Sequence, residues 1–345
     1  MPAHLRPSAD HRRLLELIDG FAGLRTVVFG DLIVDEFIYG EIARVSREAP
    51  VLILNYDSTA IVPGGAGNAA NNVAALGGAA VAVGVTGQDD TGGRLLDALR
   101  VHVDVRGVRR PRGFRTPTKT RILAGGVHSA KQQVVRIDRA AGPQLAEADR
   151  RAVAARLAAA ASRCDALLVS DYGSGMVTPA LVAHARKHLR GRGRTVSPPV
   201  LVDSRYALMR FRGMTACTPN ESEVEQLFGV RIAENVRVLE RAGRELLKRT
   251  RSAAVLITRG SRGMALFEKD RPTIHIPIFG SDQIADVTGA GDTVIATMMF
   301  ALASGASFVE AAHLANYAGG VVVMKRGTAT VSADELRDAV LTDSE

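Results

Sequence analysis

Short apolar runs alternate with helical segments along most of this chain, and that alternation constrains its fold more than any other property. Arg25 to Gly30, Ala79 to Val85, Ala166 to Val169, Val200 to Val202, Ala254 to Thr258 and Gly263 to Phe267 read as strands. Helical periodicity runs over His11 to Ile18, Ala66 to Leu76, Thr91 to Arg100, Ala146 to Ala161, Pro179 to Leu189, Glu221 to Phe228 and Glu234 to Lys248, with two further helices flanking Gly305. Strand followed by helix, repeated, implies an α/β fold: a mostly parallel central sheet with helices on both faces. Segments of strand period with no helix between partners, Phe37 to Tyr39 with Val51 to Tyr56 and Thr116 to Leu123 with Gln132 to Ile137, imply a small accessory sheet standing off the main one. No repeat or low-complexity linker divides the 345 residues, and Gly191 to Pro199 reads as a surface loop, so a single domain is expected.

Several function classes are disfavoured. Arginines and lysines interrupt every apolar run short of the roughly 18 residues of a membrane span, and Met1 to Arg13 lacks a signal-peptide core, so no membrane association and a cytoplasmic location are expected. Cys164 and Cys217 lack metal-ligand spacing and read as reduced thiols. The net charge of +8 permits nucleic-acid binding, but the arginines are scattered and aromatics make up only 4%, with no Trp, so an anionic small substrate fits the excess charge better. His184 and His188 lie four apart without a third ligand, which favours a solvated helix face over zinc. No Gly-Lys-Ser/Thr loop and no protein-kinase motif occurs.

Four stretches carry chemistry. In Asp286-Val287-Thr288-Gly289-Ala290-Gly291-Asp292-Thr293, small residues let backbone N–H groups crowd at the start of a helix, where they suit an anion, while Asp292 can take a proton from a hydroxyl. The bland alternative makes Asp292 a helix cap. Pro63-Gly64-Gly65-Ala66-Gly67-Asn68 matches a dinucleotide fingerprint only loosely, since Pro63 precedes the glycines and no acid closes the next strand. Asn68, offering donor and acceptor, suits sugar hydroxyls. Asn220 to Glu223 has capping-box spacing, and Thr258 to Gly263 leaves a strand for a two-glycine turn.

The Asp286 to Asp292 stretch resembles the C-terminal signature of the ribokinase-like (PfkB) carbohydrate kinases, and other stretches between about Thr26 and Val331 resemble that family too. The resemblance implies a ribokinase-like fold whose β-sheet lid is formed by about 35–57 and 103–137. It implies ATP as co-substrate, Mg²⁺ and a monovalent cation, with Asp292 as general base and Gly289, Ala290 and Gly291 holding transition-state charge. Sugar contacts would come from Asp31, Asp35, Gly64, Gly65 and Asn68. Nucleotide contacts would come from Asn220, Glu223, Thr258, Gly260, Gly263, Asp286, Thr288 and Asn316, with Glu223 near the metal. Ala43 to Val51, Lys131 to Asp138 and Ser170 to Gly173 are similar to the branch acting on D-glycero-β-D-manno-heptose 7-phosphate at C1, for lipopolysaccharide-core synthesis. For such a substrate, Arg44, Lys119, Lys131 and Arg136 are candidates to hold its phosphate. One departure stands out: Asp203-Ser204-Arg205-Tyr206 replaces the family's Asp-Pro-Lys-Gly. A kinase of ribose, fructose 1-phosphate or nucleosides, a non-catalytic sugar- or nucleotide-binding regulator and an NAD enzyme are the alternatives. A homodimer pairing lid to lid is expected, because lid strands have edges to protect.

Overall fold

The computed structural model describes residues 10–125, 131–142, 144–189, 197–280, 286–325 and 327–343. The sequence readings of residues 1–9, of 126–130 within the expected lid segment and of 191–196 within the Gly191 to Pro199 loop lie outside these. The chain opens with α1 (His11–Asp19), β1 (Arg25–Gly30), β2 (Leu32–Val45), β3 (Leu52–Gly65), α2 (Ala66–Ala75), β4 (Ala79–Val83), α3 (Asp90–Arg100) and β5 (Val103–Asp104). It continues through β6 (Thr118–Gly125), β7 (Gln132–Arg139), α4 (Glu147–Ala161), β8 (Ala166–Asp171), α5 (Pro179–His188), β9 (Val200–Ser204), β10 (Ala216–Cys217), α6 (Glu221–Phe228) and α7 (Val236–Thr250). It closes with β11 (Ala254–Thr258), β12 (Met264–Glu268), β13 (Ile274–Ile276), α8 (Ala290–Ala303), α9 (Phe308–Val323) and α10 (Ala333–Thr342).

Nine strands form the main sheet in the order β13-β12-β11-β10-β9-β8-β1-β4-β5. The pairs from β5 to β11 are parallel, and the pairs β11–β12 and β12–β13 are antiparallel, so β12 alone runs against the rest. Its strands are apolar on both faces because helices cover both. Val28, Leu168 and Leu256 point to one face, where α1, α2, α3, α8, α9 and α10 pack. Val27, Phe29, Leu167, Val169 and Ile257 point to the other, against α4, α5, α6 and α7. The strand order reverses at the β1–β8 pair, and a crevice opens beyond the carboxyl ends of these strands, the usual place for a ligand in an open α/β sheet.

The second sheet, β3-β2-β6-β7, stands over that crevice as the lid. Its long strands extend well past the expected Phe37 to Tyr39 and Val51 to Tyr56, because β2 leaves β1 across Asp31 alone and β3 runs directly into α2. The expected lower bound of the second lid segment, residue 103, is corrected: Val103 and Asp104 pair with β4 at the edge of the main sheet, and the lid begins at Thr118. Ile42, Val45, Leu52, Tyr56, Val135 and Ile137 are exposed on the lid. No helix among the described residues is long and apolar enough to cross a membrane.

Candidate active site

At the crevice lies a cavity of about 240 Å³ bordered by Asp171, Asp203, Arg205, Glu223, Gly289, Gly291 and Asp292. The carboxylates arrive from separate elements: Asp171 and Asp203 end β8 and β9, Glu223 stands in the first turn of α6, and Asp292 in the first turn of α8. Asp292 is buried at 4% exposure. One of its oxygens, Oδ2, accepts a hydrogen bond from Asn68 Nδ2 at 2.8 Å, while Oδ1 is buried without a partner. Burial pushes its pKa up to about 7, Asp35 adds to the rise, and the Asn68 bond and the Lys119 charge oppose it. A carboxylate in that range is poised to accept a proton near neutrality.

The N-cap of α8 is Gly289, and Asp292 stands three residues on, in the helix's first turn and near the cap as the bland alternative also has it. Gly289 holds φ 81°, and a Cβ there would lie 2.6 Å from Asn68 Nδ2. Absence of a side chain at this turn is what lets α2 and the start of α8 touch. Within the turn, Ala290 N–H donates to Val287 O at 3.3 Å and Asp292 N–H to Gly289 O at 3.1 Å. The face offered to an anion is therefore narrower than the crowded amides of the sequence suggested, and centres on Gly291, whose Cα meets open space.

Asn68 is itself held by a polar chain that was not anticipated. Asn72 Nδ2 donates to Asn68 O at 3.0 Å, and Thr293 Oγ1 donates to Asn72 Oδ1 at 2.8 Å. Two asparagines four apart on an Ala-rich helix were the available signal, since polar residues at a buried helical spacing need partners. Because the Asn68 amide favours the ionised form of Asp292, Asn68→Ala is expected to move the acid limb of the kcat/KM–pH profile upward, on the order of one pH unit for a bond worth about 1.4 kcal/mol. An unchanged limb with a raised sugar KM would restrict Asn68 to the sugar.

Asp31, between β1 and β2, and Asp35, within β2, do different things. Asp31 accepts from Tyr172 N–H at 2.8 Å, Ser174 N–H at 3.1 Å and the Ser174 hydroxyl, so it anchors the turn after β8. Burial nevertheless raises its pKa. Asp35 pairs with Arg121 at 2.5 Å and lays Oδ2 where a Cβ on Gly64 would sit, 2.2 Å away, so Gly64 is required for Asp35 to face inward. Arg121 was missed, because only the β2–β6 register brings residues so distant in sequence together. Gly65 caps α2.

A second cavity, about 280 Å³, continues under the lid and is bordered by Lys119, Arg136, Arg205, Asp31 and Asp138. Lys119 lies 4.6 Å from the Tyr172 ring centroid. Burial lowers its pKa, Asp35 opposes the fall, and Arg205, Arg136 and Arg121 add to it, as cations do when crowded. Tyr172 and Arg205 border both cavities and so form the partition between them. Of the expected lid cations, Lys119 and Arg136 border this pocket, and Arg136 is paired there with Asp138 at 2.5 to 2.7 Å. Arg44 is exposed toward the outer end of β2, and Lys131 is paired with Asp57 at 2.6 Å, so neither reaches this pocket.

On the other side a cavity of about 530 Å³ has Met264, Ile278, Val294, Gly319 and Gly320 for walls and Thr258, Gly260, Gly263 and Asn316 as polar or turn positions. Asn220, Thr258, Val287 and Gly291 border it and the acidic cavity alike. Asn220 and Glu223 form a capping box at 2.9 Å in each direction, and Glu223 still faces the acidic cavity, its pKa raised by burial. Asp286 accepts from Thr288 N–H at 2.9 Å and Gly327 N–H at 3.1 Å; it clasps the loop before α8, and neither Asp286 nor Thr288 borders a cavity. Glu221, unremarked in the sequence, holds Arg259 at 2.7 Å and Arg262 at 2.6 Å beside the apolar slot. A larger cavity of about 630 Å³ between α4 and α5 shares only Ser174 with these pockets, and no comparable set of carboxylates converges there.

No three His, Cys, Asp or Glu among the described residues form a metal cage. The oxygen donors of the acidic cavity nonetheless suit a hard cation. Asp203, from burial first and then Glu223, Asp292 and Asp171, is pushed well above the usual carboxylate range, a charge crowding that a cation bound to nucleotide phosphates would relieve.

Residues 26–335 match the profile described as pfkB family carbohydrate kinase. Similar proteins include one described as bifunctional protein HldE from Geobacter sulfurreducens, 40% identical over 94% of this chain and 65% of that protein, and its namesake from Granulibacter bethesdensis, 38% identical over 92% and 65%. The chain thus spans just under two thirds of these relatives. Among solved structures, Escherichia coli phosphofructokinase-2 in complex with substrates and products superposes with a TM-score of 0.71 at 20% identity, covering 94% of this chain and 100% of that one. Arabidopsis thaliana ribokinase complexed with ribose and ATP gives 0.67 at 20%, covering 93% and 98%. At such identities these two establish likeness of fold.

Proposed function

The chain belongs to the pfkB family of carbohydrate kinases, and from that premise we propose that it transfers the γ-phosphoryl group of ATP to the anomeric C1 hydroxyl of D-glycero-β-D-manno-heptose 7-phosphate. The observation that carries the reading is the unpartnered, buried Oδ1 of Asp292, with a pKa of about 7, at the floor of a cavity between a basic pocket and an apolar slot. The sugar would lie with C1 over Asp292, held by Asp35 and Asn68, and with its distal phosphate among Lys119, Arg136 and Arg205. The nucleotide would fill the apolar slot and extend its phosphates past Asn220 toward Gly291. As the new O–P bond forms in line with the departing ADP, Asp292 takes the hydroxyl proton and the Gly291 region faces the developing charge.

Mg²⁺, carried by the phosphates, would supply charge neutralisation there, with Glu223 and its neighbour Asp203 as the protein's oxygen donors. A monovalent cation belongs to the same reading, supported by the fold's likeness to the E. coli phosphofructokinase-2 solved in complex with potassium. The relatives are called bifunctional, and only the kinase step is proposed for this chain. Lid-to-lid homodimerisation is supported by the exposed Ile42, Tyr56, Val135 and Ile137, and a cytoplasmic location by the nature of the substrates.

The test is a panel of ATP with the heptose 7-phosphate, the unphosphorylated heptose, ribose, fructose 1-phosphate and a nucleoside, read as kcat/KM. The heptose phosphate is expected to exceed the others by at least about a hundredfold, as two charge-assisted bonds to a phosphate provide. Preference for an unphosphorylated sugar would overturn the substrate assignment, and no turnover with any would overturn the catalytic one.

A further inference from the structure

A recess of about 180 Å³ lies at the amino ends of the sheet strands, away from the crevice, bordered by Arg25, Asp104, Arg106, Arg156, Arg163 and Cys164. Arg25 is the first residue of β1, so the strand's own length, roughly 16 Å at 3.3 Å per residue, separates this recess from the catalytic end. The Arg25 Nε is buried and has no hydrogen-bond partner, an arrangement that calls for an acceptor. Asp104 does not supply one. Its two oxygens accept from Arg106 at 2.6 to 3.1 Å, which neutralises that pair within itself.

Three cations are left over. Arg156 spends one nitrogen on Val108 O at 2.7 Å, and Arg163, just past α4, is exposed and enters no ion pair among the described residues. Against them stand Asp165, which accepts the Arg25 backbone N–H at 2.9 Å, and the carbonyl end of α4. Cys164 adds no charge, since burial pushes its thiol up to about 11. The balance remains positive, and the arginines Arg25, Arg156 and Arg163 border a space with room for a phosphate group or a small phosphate ester.

We propose that this recess is a second anion site, separate from catalysis, that takes a phosphate group, either free or as the monoester of a small metabolite. Guanidinium forks suit phosphate oxygens, and Arg25 Nε would gain the acceptor it lacks. The test is calorimetric titration of inorganic phosphate, and separately of glycerol 3-phosphate, into the full chain. It compares wild type, the catalytic-pocket variant Lys119→Ala and the recess variants Arg163→Glu and Arg25→Gln. Wild type should show two classes of site. Lys119→Ala should retain the recess class. Arg163→Glu, on an exposed residue whose change does not threaten folding, should weaken that class at least about tenfold, as loss and reversal of one charge implies, and leave kcat at saturating substrates unchanged. Tighter binding of the ester than of free phosphate would identify a metabolite as the occupant, and equal binding the inorganic ion. A single class that vanishes in Lys119→Ala, or recess binding indifferent to Arg163→Glu, would overturn the proposal.

Discussion

Asp292→Asn is expected to lower kcat by roughly 10² to 10⁴-fold, the range of a lost general base, while ATP and sugar still bind. The substitution keeps the side chain's shape and preserves an acceptor for Asn68 Nδ2, so the helix contact survives. Stability should move the other way from activity. In the folded protein Asp292 has a pKa of about 7 against 3.8 when unperturbed, so between roughly pH 4 and pH 7 the folded state holds a proton that the unfolded state has released. Stability contributed by this group therefore falls as pH rises through that window, and above it the full cost of a buried charge remains. The asparagine variant lacks this cost, and its thermal midpoint relative to wild type should rise from pH 4 to pH 7 and stay high beyond. Wild-type kcat/KM should meanwhile climb with pH, half-maximal near about 7 and level above about 8. A variant retaining more than about a tenth of kcat would show that another group takes the proton.

The second large effect concerns the basic pocket. Lys119→Ala should reduce kcat/KM for the phosphorylated heptose by about a hundredfold and leave the unphosphorylated heptose nearly unchanged, so that discrimination between them collapses. Arg205→Ala should do likewise but also weaken the nucleotide side, because Arg205 faces Glu223 and Asp203 across the acidic cavity. Arg44→Ala and Lys131→Ala serve as contrasts. Both cations stand outside the pocket, and discrimination should persist in each. Loss of discrimination in Arg44→Ala, with Lys119→Ala silent, would relocate the distal phosphate to the lid's far end.

What was legible in the sequence had a local cause. The α6 start was readable because a capping box spans four adjacent residues, and the long strands and helices because their apolar periods run for five residues or more. β5, β10 and β13 were missed, since two or three residues cannot display a period and these strands exist only by pairing with neighbours. α10 went unread too, although Ser332 and Glu335 form a capping box at its start. At the site, the sequence placed Asp292 and Asn68 separately. Nothing local could show that they touch across 224 positions of chain, or that Asp35 would face Arg121 and not Arg44. Arg44 and Lys131 were chosen for charge alone. Whether a lid cation faces the crevice depends on strand parity and on bulges near Tyr39 and Ile42, which shift the register and are set by pairing.

The lid joins the body of the protein through connections that include Asp31, between β1 and β2, and Gly65, the last residue of β3 before α2. Asp31 also anchors the turn after β8 through Tyr172 and Ser174, and Gly65 caps α2. Any swing of the lid must bend the chain at the same places that shape its grip, so the speed of opening and the tightness of hold are mechanically one property here. On the proposed reading, a mutation that loosens the joint is expected to speed product release and weaken substrate capture together. Divergence toward new sugars is then easier through the side chains on the lid's inner face, Lys119 and Arg136, than through its points of attachment.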